Sequence, residues 1–481
     1  MTLTASQAEW LRVRSYLQEH RHALAVDAAG AYPAERRMAG TPLLAAPEWQ
    51  PAEPVPLHDI ELEFTRTRGT PPRTPGPALP ERPDGTRYRS YSDVLRDLAA
   101  PAVFENRPTY RLTEADLTKP RLAFTRGRYF DGVDTGEVAA HEYAATRLGG
   151  QDPHRAVGPR ARIADPCDLT RRPANLAITT LTLRFDAATG RASFLMHWRD
   201  PAKVGHAGGM YQVIPVGVFQ PSGDASWHER EDFSLWRCML REFDEELRGT
   251  PEEYGAGPVD YQSWPFARHM AAALDRGQIR VWCLGLGVDP LTYATDLLTV
   301  AVIDSRVFDE LFSLDPRGND EGSVLAAREF AAHVIDRVVT GDPVQAAGAA
   351  VLRLAWRHRD TLTVLPRRRA QAADHPERLP PGPHAQGQAG RPGECLAFAD
   401  RLAAEVTLGP PVARGDDRDR EAAVGDLDLV RHLEHGGVEE LRDVAGEQPH
   451  LARAAAGPQH PRLLAGAGER ARGVGWKPIP A

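Results

Sequence analysis

The apolar positions divide the chain into segments of different period. Trp10, Val13, Leu17 and Leu24 recur at helical intervals, and Ser6 and Glu9 have capping-box spacing, so residues 6–28 are predicted to form a surface helix with one buried stripe. Residues 31–58 and 65–87 are rich in Pro, Gly and Arg, and between them Ile60-Glu-Leu-Glu-Phe64 alternates like a strand. From Tyr88 to about Gly150 the chain carries Tyr88, Tyr91, Phe104, Tyr110, Phe124, Tyr129 and Phe130, which serve either a ligand pocket or an ordinary core. Val138 to Ala145 reads as a helix, with His141 and Glu142 as surface or capping residues.

Strand-like stretches follow at 175–185, 191–198 and 211–219, with Ala188-Thr-Gly190 as a turn. Two more strands are expected at 279–287 and 297–303, and helices near 321–339 and 344–357. This order predicts an α+β fold, a mixed sheet packed between helices. Residues 1–170 form an α+β accessory region in this reading, 171–360 the main domain and 361–481 a separate tail. From Pro366 onward Phe398 and Trp476 are the only aromatics, and the helical pieces at 393–406 and 424–445 have few large apolar anchors. A poorly structured tail is expected there. A shifted reading frame near residue 360 would produce the same abrupt change of texture.

Within residues 237–249, Arg-Cys-Met-Leu-Arg-Glu-Phe-Asp-Glu-Glu-Leu-Arg-Gly, the two faces differ in character. Together with the preceding Trp236, Leu240, Phe243 and Leu247 repeat every three or four residues and predict a buried stripe. Glu242 lies three and four residues before Glu245 and Glu246, which gathers the three carboxylates on one face of a helix. Such a cluster is either a solvated surface or a site for a hard cation, since magnesium takes oxygen ligands and recruits phosphate oxygens. Arg241 can neutralise or orient a neighbouring carboxylate.

Composition adds limits rather than a function. Of 481 residues, 42% are hydrophobic and 26% charged, and the net charge of -8 gives no general attraction to nucleic acid or acidic lipid. Cys167, Cys238, Cys283 and Cys395 are far apart and are expected to be unlinked thiols. The first residues lack the pattern of a secretory signal and no stretch has membrane-spanning length, so a cytoplasmic protein is expected.

With these residues in place, the chain resembles the Nudix superfamily, whose signature is Gly-x5-Glu-x7-Arg-Glu-U-x-Glu-Glu-x-Gly-U, with U bulky and aliphatic. Gly223 and Glu229 have the first spacing, and Arg241-Glu-Phe-Asp-Glu-Glu246 supplies the centre. Eleven residues, 230–240, stand where the signature has seven, and Gly249 comes one place late. The resemblance implies a Nudix-like domain that binds magnesium, or manganese in its place, through Glu242, Glu245 and Glu246, and hydrolyses a nucleoside diphosphate derivative or related phosphoanhydride. It gives Glu229 a role in holding the loop and helix together. The competing reading is a catalytically inactive nucleotide sensor or protein-interaction domain, with a second copy or another protein as partner.

Gly223, Trp227 and His228 are candidates for ligand contact at the entrance to the acidic helix, each also explained by loop packing. Glu231, Asp232, Asp304 and Glu321 are candidate general bases, and His206-Ala-Gly-Gly209 a candidate phosphate contact. Tyr261 and Trp264 are candidate base-stacking residues. Arg367-Arg-Arg369 reads as a charged junction.

Overall fold

The computed structural model describes residues 3–66, 79–101, 104–155, 158–200, 208–251, 257–312 and 322–363. All of them fall within one compact unit, Met1–Glu377. The expected tail beyond Thr363, with Arg367–Arg369 and Cys395, lies outside the described residues, as do His206 and Glu321. Among the described residues no helix is long and apolar enough to cross a membrane.

The first helix, Ala5–Ala29, buries Trp10, Val13, Leu17 and Leu24 as their spacing requires. Its capping box is formed by Thr4 and Gln7, however, not by Ser6 and Glu9. Ser6 Oγ instead accepts from the Glu81 backbone N–H, and Glu9 pairs with Arg12. Two hydroxyl-x-x-acid/amide patterns overlap here, and the tertiary contact to residue 81 takes one of them.

The fold is α+β, with a mixed central sheet covered by helices. Ile279–Val288 and Thr295–Asp304 form an antiparallel pair, and the second strand runs parallel to Leu176–Asp186. On its other side Leu176–Asp186 pairs with Val216–Val218 and Arg191–Phe194, both antiparallel. Thr295–Asp304 is buried at every position but the last, the pattern of a strand covered on both faces. Helix Ala346–Arg357 packs on this sheet, as do Leu235–Glu242, Pro265–Asp275 and Ser305–Leu311. Phe243, Phe266, Phe308 and Phe312 meet ring to ring among these last helices.

The sheet draws on residues from the first part of the chain: Val55–Pro56 pairs along the outer edge of Ile279–Val288. A separate three-stranded sheet joins Glu61–Thr65, Pro108–Asp116 and Arg121–Arg128. Gly136 approaches the backbone of the loop at 289–294 so closely that a Cβ there would stand 2.0 Å from the Thr292 carbonyl oxygen.

Three expected elements and the place of one residue differ. The stretch 191–198 divides at Leu195 into Arg191–Phe194 and Met196–Arg199, which join different sheets. The stretch 211–219 divides into Tyr211–Val213 and Val216–Val218 at Ile214–Pro215, where proline has no N–H for a ladder. The expected helix at 321–339 begins only at Ala332. Before it, Gly322–Val324 and Arg328–Glu329 are used as edge strands, because Met196–Arg199 and Arg191–Phe194 have unpaired sides that they complete. His141 is buried, not exposed: it stacks on Trp10, its Nδ1 lies 3.1 Å from Tyr91 Oη, and burial lowers its pKa to about 3. Glu142 does act as a cap, accepting from the Arg160 N–H at 3.0 Å.

Candidate functional site

The acidic helix begins earlier than its predicted start at 237. Ser234 caps it, its side chain accepting from the Arg237 N–H, and Leu235–Glu242 is α-helical. Phe243–Leu247 then continues as a π-turn. A π-turn holds one residue more than an α-turn, so the chain reaches Gly249 one place late without changing the direction of the buried stripe. Gly249, at φ 73°, ends the element in a conformation that glycine adopts freely. Leu240, Phe243 and Leu247 are buried as the stripe predicts.

The π-turn also redistributes the carboxylates. Glu242 and Glu245 face a cavity of about 380 Å³. Glu246 does not: its Oε1 accepts from the Val216 N–H at 2.8 Å and its Oε2 lies 3.8 Å from His197 Nδ1, with both side chains buried. Arg241 also points away from the cavity, into a buried network of Asp232, Tyr261 and the Gln220 carbonyl. The single acidic face expected from the helical spacing is thus two cavity carboxylates and one that clamps the helix to its neighbouring strand. Gly217 is what allows the close fit, for a Cβ there would lie within 1.8–2.3 Å of the Glu242 carboxylate atoms.

The loop before the helix has structure of its own. Ser226–Glu231 forms a short helix of its own, and Ser222, His228 and Asp232 lock the loop from inside. Asp232 accepts from the Ser222 N–H, the Ser222 hydroxyl and the Tyr261 hydroxyl, so this candidate base is held in the framework. His228 is buried against Gly223, where a Cβ would meet its ring at 2.9 Å. Trp227 is exposed. Neither Gly223, Trp227 nor His228 lines the cavity. Glu229 pairs with Arg126, and its carbonyl accepts from Tyr110 Oη, which ties loop to sheet. Glu231 pairs with Arg237 in an exposed position, Asp304 caps Ser305–Leu311, and neither reaches the cavity. Trp264 and Tyr261 pack on the core beside the acidic helix.

The remaining cavity walls come from several distant segments. Arg21 of the first helix, Phe104, Tyr129, Glu137, Arg199, Asp289 and Asp296 all contribute. The early aromatics divide: Tyr88, Tyr91, Tyr110, Phe124 and Phe130 are buried core, whereas Phe104 and Tyr129 line the cavity. Asp296 was the readable signal among the residues that spacing arguments passed over, an acidic side chain at the threshold of the apolar run 297–303. Burial pushes its carboxyl up to about 7; Thr179 opposes this and Asp289 adds to it.

Among the described residues no group of three or more His, Cys, Asp and Glu side chains is placed to hold a metal ion. Two cavity carboxylates nevertheless fit the usual magnesium complement, in which one or two protein carboxylates are joined by water and phosphate oxygens. Cys167, Cys238 and Cys283 are free and buried.

No known family matches the chain by its sequence, and no curated protein matches it. Among solved structures it is similar to a NUDIX hydrolase from Alicyclobacillus acidocaldarius, at 17% identity over 40% of this chain and 95% of that one, with a TM-score of 0.24. A likeness of that size carries no argument about either chain.

Proposed function

We propose that the chain hydrolyses a phosphoanhydride, a nucleoside diphosphate derivative, with magnesium as cofactor. The observation that carries this reading is the placement of Glu242 and Glu245 on the wall of a cavity large enough for such a ligand, with Glu242 seated on Gly217. The match of residues 241–246 to the Nudix signature supports it. Glu242 and Glu245 would hold the cation, which supplies charge neutralisation for the diphosphate and a polarised water. Arg21 and Arg199 bring positive charge to the same cavity, where phosphate oxygens favour it. Glu246 acts by position: its bond to Val216 fixes the helix against the strand that carries Gly217.

The test is a screen of nucleoside diphosphate derivatives with magnesium, comparing wild type with the Glu242→Gln, Glu245→Gln double variant. Turnover is expected to fall by a factor on the order of 100. Turnover that survives unchanged in the variant would sink the assignment.

Gly217→Ala gives an independent expectation. The new methyl group displaces the end of a flexible side chain, so the fold is retained with a stability change within about 1 kcal/mol, while Glu242 leaves its seat. Turnover should then match that of Glu242→Gln. A Gly217→Ala protein with wild-type turnover would show that the seat is irrelevant.

The diversion of Glu246 into the core favours a second reading, a sensor that binds the nucleotide without cleaving it. Its signature in the same screen is saturable nucleotide binding without product.

A further inference from the structure

The cavity has an acidic wall that the proposed hydrolysis leaves unused. One rung of the central sheet reads Val218, Ala177, Asp296 across three strands, with Leu176–Asp186 in the middle. Neighbouring strands lie about 4.8 Å apart, so the Asp296 backbone stands roughly 10 Å from that of Val218. Gly217, the seat of Glu242, is the next residue along. Glu242, beside Gly217, and Asp296 both line the cavity. A diphosphate carrying a sugar offers both phosphate oxygens and hydroxyl donors, inorganic diphosphate the oxygens alone.

The bonding of Asp296 is incomplete for a structural role. Buried polar atoms are normally satisfied. The side chain is buried, yet Thr179 Oγ1, at 2.8 Å from Oδ1, is its one hydrogen-bond partner among the described residues. Asp289 lines the same cavity, and its Oδ1 is already engaged by the N–H groups of Leu291 and Thr292 and the Thr292 hydroxyl. No cation pairs with Asp296 among the described residues. A half-satisfied carboxyl group that opens on a cavity asks for a partner that donates hydrogen bonds. Phe104 and Tyr129 add apolar surface to the cavity, suited to the flat face of a base.

We propose that Asp296 accepts hydrogen bonds from the sugar hydroxyls of the ligand, and so makes the site selective for ribonucleoside diphosphates over inorganic diphosphate. The inference rests on the phosphoanhydride reading above. In it, Glu242 and Glu245 read the phosphates and Asp296, on another wall of the same cavity, reads the sugar.

Calorimetric titration with magnesium present tests this, using inorganic diphosphate, the four common ribonucleoside diphosphates and their 2′,3′-dideoxy counterparts. At pH 8, where the Asp296 carboxyl is ionised, wild type is expected to bind at least one ribonucleoside diphosphate on the order of tenfold more tightly than its dideoxy form, the worth of a hydrogen bond to a charged group. Asp296→Asn, nearly identical in shape, should abolish that preference and leave inorganic diphosphate binding unchanged. Thr179→Val keeps the carboxyl group but frees its orientation, and should reduce the preference several-fold. Wild type that binds ribo and dideoxy forms equally, or binds inorganic diphosphate alone, overturns the proposal. So does an Asp296→Asn protein that retains the preference, or that loses inorganic diphosphate in equal measure. Failure of the underlying phosphate reading is distinct: inorganic diphosphate binding would then be indifferent to the Glu242→Gln, Glu245→Gln substitutions.

Discussion

Glu137→Gln is expected to destabilise the protein by about 3–5 kcal/mol, the usual cost of breaking a buried ion pair from one side. Glu137 lies in the π-turn Val133–Glu137 and is paired with both Arg14 and Arg21 of the first helix. All three side chains are less than a tenth exposed. Removing the carboxylate takes from two buried guanidinium groups the anion they share. Arg21 also lines the cavity, so the damage should extend to ligand binding. Urea denaturation measures the loss. A control sharpens the interpretation: replacing Arg14, Arg21 and Glu137 together by Met, Met and Leu should cost much less, because no charge is then stranded. A Glu137→Gln loss below about 1 kcal/mol would mean that this triad does not hold the helix in place.

Asp296→Asn is expected to stabilise the protein at alkaline pH and to lose that advantage in acid. The folded-state pKa is pushed up to about 7, above the ordinary 3.8, chiefly by burial. The folded protein therefore keeps a proton that the unfolded chain releases. That contribution is complete below pH 3.8 and is lost as pH rises through 7. The full gap is worth roughly 4 kcal/mol, and asparagine, which does not ionise, escapes it. Between pH 5 and pH 8 the stability difference between variant and wild type should grow in the variant's favour by roughly 3 kcal/mol. A difference that stays flat across this range would mean that Asp296 ionises freely in the folded state.

The central strands and the terminal helix were legible because apolar residues dominate each of them. Residues 279–287 and 297–303 need no partner to be recognised, and 344–357 has helical spacing throughout. Gly322–Val324 and Arg328–Glu329 were not, because short edge strands are defined by the neighbour they complete rather than by their own pattern. In the candidate site, spacing brought Glu242 and Glu245 together. It also assigned Glu246 to them, because an α-helical period was assumed and the switch to a π-turn is set by packing around Phe243 and Leu247. The cavity itself was hidden for a different reason. Its walls join Arg21, Tyr129 and Asp296 across most of the described chain, a convergence that belongs to topology and leaves no local signal.

The close approach of Gly136 to the Thr292 carbonyl bears on how this chain could be inherited. Two stretches more than 150 residues apart in sequence touch main chain to main chain, with no side chain between them to absorb a change of spacing. Val55–Pro56 closes a sheet edge in the same one-piece fashion. Domain borders fall where few contacts cross, and these two contacts join the first part of the chain to residues beyond 171. An inherited change of spacing on one side of such a contact must therefore be matched on the other.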